Sequence, residues 1–77
     1  MTLNELRSTV PCRVTRVTAQ GMLGQRLSDL GFCPGEKILF VRRAPLGDPL
    51  HVQLGTYHVV LRAMEAREIE IEPLPKQ

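Results

Sequence analysis

The stretch from Arg26 to Val52, RLSDLGFCPGEKILFVRRAPLGDPLHV, runs a helix end, a tight turn, a strand, a Pro/Gly loop and a second strand together without a break. Leu23, Leu27 and Leu30 keep the i, i+4, i+7 spacing of one buried stripe, which predicts a helix over 21–30. Gly31 is placed to end it in a left-handed conformation, with Phe32 packing back on Leu27 in a Schellman termination. Cys33-Pro34-Gly35-Glu36 then has Pro and Gly at the central positions of a type II turn. Lys37 to Arg43 reads as a strand apolar on both faces, Ile38 and Phe40 against Leu39 and Val41, and therefore expected to be covered on both sides. Ala44 to Pro49 cannot continue a ladder, because Pro45 and Pro49 lack amide donors and Gly47 favours a turn, so it is a hairpin loop.

Downstream, Leu50 to Leu54 and Tyr57 to Leu61 form a hairpin closed by Gly55-Thr56, a two-residue loop with Gly first, the type II′ pattern. That loop sets the register. Leu54 faces Tyr57, Val52 faces Val59 and Leu50 faces Leu61, and these six side chains are expected to supply the main core. The opposite face carries His51, Gln53, His58 and Val60. Arg62 to Ala66 is read as a short helical turn, and Glu68 to Glu72 as a last strand with Ile69 and Ile71 inward, after which Pro73 and Pro75 end order and Lys76-Gln77 is a tail.

Upstream, Thr2-Leu3-Asn4-Glu5 fits a capping box at the head of one turn, with Leu3 and Leu6 on one side. Pro11 ends anything helical, and Cys12 to Thr18 is a first strand whose Val14 and Val17 lie three apart, which predicts a bulge near Thr15 and Arg16. The expected fold is mainly β: a small SH3-like, partly open antiparallel barrel of five strands, with one helix between the first two and short helical turns at the N-terminus and before the last strand.

The 77 residues are read as a single domain with its core over 3–72. Ten Lys and Arg against eight Asp and Glu give a formal charge of +2, too weak a bias for a dedicated nucleic-acid binder. No apolar run of about 18 residues is present to span a bilayer, and the N-terminus has no apolar signal-like segment, so the expected location is cytoplasmic. In a reducing compartment Cys12 and Cys33 are expected as free thiols.

No nucleophile with a neighbouring base and no carboxylate pair facing a cleft can be assembled, so no enzyme is expected. Gly21-Met22-Leu23-Gly24 is neither a dinucleotide fingerprint nor a Walker loop. Glu68, Glu70 and Glu72, at period two, suit a charged sheet edge that discourages strand addition. The hairpin register makes His51 and His58 diagonal neighbours, with Gln53 opposite His58. These two imidazoles, with Cys33 as a looser candidate, could capture a divalent transition metal (Fe or Zn) weakly, although no cofactor is required. The alternative is that both are surface histidines and Cys33 a small apolar filler.

The loop Arg42 to Pro49 is hardest to explain by folding alone: prolines lower the entropy lost on docking and Leu46 projects as an apolar anchor, with Arg43 and Asp48 at its rim. Met22, Arg26 and Asp29 on the exposed flank of the helix complete the candidate contact surface.

The order Leu27, Leu30-Gly31, Pro34-Gly35 and Ala44-Pro45-Leu46-Gly47-Asp48-Pro49 resembles the FeoA family of bacterial ferrous iron transport accessory proteins, over Leu3 to Glu72. The resemblance implies the same SH3-like fold. It also implies an adaptor that acts with the FeoB ferrous iron permease, on its cytosolic GTPase domain, and that meets the membrane only through this partner; self-association is open. Two other classes stand beside it. One is a transition-metal-binding or metal-sensing module like the barrel appended to iron-dependent repressors, although the chain has no room for a helix-turn-helix. The other is an RNA-binding barrel, which would need an exposed Tyr57 beside a cluster of Arg13, Arg16, Arg42 and Arg43.

Overall fold

The computed structural model describes residues 1–74. Cys12–Val17 (β1), Lys37–Arg43 (β2), Leu50–Leu54 (β3), Tyr57–Leu61 (β4) and Ile69–Pro73 (β5) form one antiparallel sheet in the order β4-β3-β2-β1-β5. Helix Gly21–Asp29 (α1) connects β1 to β2, and a single helical turn, Ala63–Ala66 (α2), connects β4 to β5. The sheet is SH3-like but not closed into a barrel, since β4 and β5 are its two ends and do not pair. Strand β5 runs one residue further than expected and includes Pro73. The expectations for Pro75 and for residues 76–77 lie outside the described residues.

Helix α1 ends as its sequence requires. Leu30 is the C-cap, Gly31 takes φ of 108°, and the amides of Phe32 and Gly31 donate to the carbonyls of Leu27 and Ser28 at 3.1 and 3.0 Å. The Cys33 to Glu36 turn closes at 3.0 Å with Gly35 at φ 93°. The expected bulge in β1 falls between Val14 and Arg16, where the pairing with β5 shifts.

The β3–β4 hairpin has the expected register: Leu50 to Leu61, Val52 to Val59, Leu54 to Tyr57, His51 to Val60 and Gln53 to His58. Five of its six expected core residues are buried. The exception is Tyr57, which is 48% exposed and donates its hydroxyl to the Leu30 carbonyl at 2.6 Å. A phenol carries a polar group that needs a partner, and the end of α1 supplies one at the rim of the core. Leu3, Phe32, Leu27, Ile38 and Ile69 fill the interior with the hairpin residues.

Two expectations about the sheet are refined. Strand β2 is covered unevenly: Ile38 is buried, whereas Leu39, Phe40 and Val41 are partly buried. Nor are the glutamates of β5 a bare charged edge. Glu72 pairs with Arg13 at 3.2 Å, Glu70 takes two bonds from Arg16 at 3.1 and 3.2 Å, and Glu68 accepts from Thr18 at 2.9 Å. The outer edge of β5 is instead occupied by the N-terminus, where Thr2 bridges Glu70 and the Ile71 amide donates to the Met1 carbonyl at 2.8 Å. The Thr2–Glu5 capping box that starts the N-terminal 3₁₀ turn is present.

Candidate functional site

Strand β2 does not keep strict alternation to its end. Ile38 and Phe40 face Leu54 and Val52, the register then shifts, and Arg42 and Arg43 face His51 and Leu50. A bulge at this point reverses the parity of everything after it. Arg43 therefore turns toward the side of Phe40, its guanidinium carbon 5.9 Å from the ring centroid, while Arg42 stays exposed.

The Arg43 guanidinium joins two distant pieces of chain. Its Nη2 donates to the carbonyls of Asn4 and Leu6, the latter at 3.1 Å, and its Nη1 to the Gly47 carbonyl at 3.1 Å and to Asn4 Oδ1 at 3.3 Å. Burial lowers its pKa, the nearby Arg7 acts in the same direction, and Asp48 opposes them. Arg43 thus fastens the β2–β3 loop to the N-terminal turn.

The loop itself closes with the Gly47 amide on the Ala44 carbonyl at 2.8 Å and the Ala44 amide on the Pro49 carbonyl at 2.9 Å. Asp48 reaches out of it, and its Oδ1 accepts from the Ala63 amide, the first of α2, at 2.9 Å. Leu46, at the tip, is 96% exposed. A leucine held out on a loop fastened at both shoulders loses little further entropy on burial against a partner.

The α1 flank is tied to the same short helix. Glu65, buried within α2, accepts from the Arg62 amide at 2.9 Å with Oε1 and from Arg26 Nη1 at 2.6 Å with Oε2. Met22, Gln25, Arg26, Asp29 and Leu30 line a shallow depression of about 330 Å³, and Gln25 holds Asp29 at 2.9 Å. Met22, on its rim, is 91% exposed. Met64, not among the candidates legible in the sequence, lies on α2 between these two attachments and is 66% exposed. The four-residue turn was legible, but its links to Asp48 and Arg26 cross 15 and 39 residues of chain and leave no local signature.

The remaining candidates lie elsewhere. His51 Nε2 and His58 Nδ1 are 2.7 Å apart on the outer face of the hairpin. Cys33 sits in the turn after α1, its sulfur 3.8 Å from the Ser28 carbonyl, and does not join them. Arg13 and Arg16 are matched by Glu72 and Glu70, so the basic cluster that an RNA-binding surface would need is half neutralised. No helix among the described residues is long and apolar enough to cross a membrane.

Comparison with known proteins gives a consistent picture. A family model described as the FeoA domain matches residues 1–73. An Fe(2+) transport protein A/Fe(2+) transporter FeoB fusion protein of Porphyromonas gingivalis is 36% identical over 72 residues, which are 94% of this chain and 8% of the fusion protein. The solution structure of iron(II) transport protein A from Clostridium thermocellum superposes with a TM-score of 0.91 at 42% identity, over 96% of this chain and 46% of that one. The crystal structure of Stenotrophomonas maltophilia FeoA complexed with zinc, described as a prokaryotic SH3 domain protein, gives 0.82 at 36% identity, over 94% and 89%.

Proposed function

The chain belongs to the FeoA family, and from that membership we propose that it is a cytoplasmic, non-enzymatic accessory module of ferrous iron uptake that docks on the cytosolic, GTPase-bearing part of an FeoB-type permease and modulates it. The observation that carries this reading is the fusion protein, in which a segment similar to this chain and an Fe(2+) transporter share one polypeptide. Covalent linkage holds two parts at high effective concentration, which is useful when they work in contact. The chain corresponds to 8% of that protein, so transport itself lies with the permease.

Modulation requires that the module bind one conformation of the permease more tightly than another, since equal affinity would shift nothing. Leu46 and Met22 are the apolar anchors of the proposed surface, Arg26, Asp29 and Asp48 its polar surround, Arg43 the clamp that holds the Leu46 loop in place, and Met64 joins them from α2. The two exposed apolar side chains are held on elements already fastened to the core, which favours docking without a large ordering cost.

The test is uptake of radiolabelled ferrous iron by cells lacking this chain and complemented with wild type, Leu46→Asp or Met22→Asp. Both variants are expected to accumulate as folded protein and to restore less than about a tenth of the wild-type effect, as loss of a buried apolar anchor does at an interface. Full restoration by both would exclude this surface as the docking site.

A further inference from the structure

The hairpin histidines take no part in the docking surface, and their geometry is specific. Nε2 of His51 lies 2.7 Å from Nδ1 of His58, the ring centroids are 4.8 Å apart, and the rings meet at 67°. At that separation one nitrogen carries a proton and the other offers its lone pair to it. Two nitrogen donors thus converge on a single shared proton, which is the arrangement a cation can take over by displacing that proton. Nitrogen ligands of tetrahedral zinc lie about 2.0–2.1 Å from the metal, which separates them by about 3.3 Å. Opening the pair by about 0.6 Å is within reach of small χ rotations of side chains at the sheet surface.

We infer that His51 and His58 form a two-imidazole binding site for a late first-row divalent ion, with Nε2 of His51 and Nδ1 of His58 as the donors and water in the remaining positions. The hairpin fixes the backbone on which both rings stand: His58 is opposite Gln53 and His51 opposite Val60. Gln53 is turned away, its Nε2 donating to the Gly55 carbonyl at 2.9 Å, and Val60 brings no donor. No third His, Cys, Asp or Glu among the described residues closes on the pair, so the site binds with two protein ligands only and exchanges readily. Imidazole nitrogens bind divalent ions in an order that rises from iron(II) to copper(II) and stands higher for zinc than for iron. The pair therefore selects zinc and copper over ferrous iron and is not a resting place for the transported ion. This inference does not depend on the docking surface, and either can fail without the other.

The experiment is titration of the whole chain, labelled with ¹⁵N in histidine, with zinc chloride alone in a non-chelating buffer at neutral pH, reading the four ring nitrogens by NMR. The expected result is a saturable shift that fits a single 1:1 site, largest at Nε2 of His51 and Nδ1 of His58, and lost in both His51→Gln and His58→Gln while the backbone amide spectrum of each variant stays that of the folded protein. Anaerobic titration with ferrous chloride is expected to give affinity at least about tenfold weaker. No saturable shift of either ring, a shift that survives either substitution, or tighter binding of iron than of zinc would overturn the inference.

Discussion

Arg43 shows how a single side chain decides what the β2–β3 loop can do. Its guanidinium satisfies the backbone carbonyls of Asn4, Leu6 and Gly47 together, so truncation would leave three acceptors without that donor. Arg43→Ala is expected to lower unfolding stability in urea by about 2–3 kcal/mol, and Arg43→Lys to recover less than half of that, because an ammonium cannot reproduce the planar fork. A loss within about 0.5 kcal/mol, the range of ordinary surface substitutions, would contradict the clamp. Cys12 gives a second residue-scale prediction. Burial raises its thiol pKa, so the folded state keeps a proton that the unfolded state releases. Its contribution is full below the unfolded-state pKa and is lost as pH rises through the folded-state value, so stability falls on the alkaline side. Chemical denaturation as a function of pH should show that decline in wild type and a flatter one in Cys12→Ala; equal slopes would dismiss the assignment.

At the scale of elements, the join between α1 and the hairpin is set by Gly31. A Cβ at this position would lie 2.3 Å from the Tyr57 hydroxyl oxygen, on a backbone at φ 108° that side chains rarely adopt. Gly31→Ala is expected to cost about 1–3 kcal/mol by thermal or urea unfolding, and the additional substitution Tyr57→Phe to return only the steric part, since the backbone strain remains. Full recovery in the double variant would show that backbone conformation is not the limiting factor. Much of this element structure is legible in the sequence for identifiable reasons. The two-residue Gly55-Thr56 loop fixes parity, and with it every cross-strand pair of β3 and β4, including the juxtaposition of His51 and His58. Gly31 and Phe32 mark the end of α1 by chemistry alone. The bulge of β1 is visible because Val14 and Val17 break the period, whereas that of β2 is hidden in a run, Leu39-Phe40-Val41, that is apolar at every position and carries no Gly or Pro. That hidden bulge is why Arg43 reads as a rim residue in the sequence and stands as a clamp in the structure. Register puts Tyr57 on the core face, but register assigns a face and not a depth.

For the whole molecule, the N-terminal turn, the β2–β3 loop, α2 and α1 are joined by polar contacts between residues far apart in sequence: Arg43 to Asn4 and Leu6, Asp48 to Ala63, and Arg26 to Glu65. These contacts fix the elements that carry Leu46, Met64 and Met22, which are exposed and spend little on folding. Leu46→Asp is accordingly expected to change unfolding stability by no more than about 0.5 kcal/mol, so that any loss of function it causes is a loss of contact. The most direct test of docking is titration of the isotope-labelled chain with the cytosolic portion of an FeoB-type permease, following every backbone amide by NMR at moderate salt. Saturable shifts are expected at Arg43 to Asp48, on the Met22, Arg26 and Asp29 flank and at Met64, and their loss is expected in Leu46→Asp. An unchanged spectrum at protein concentrations well above those in the cell, or shifts confined to the face of His51 and His58, would rule out docking through this surface.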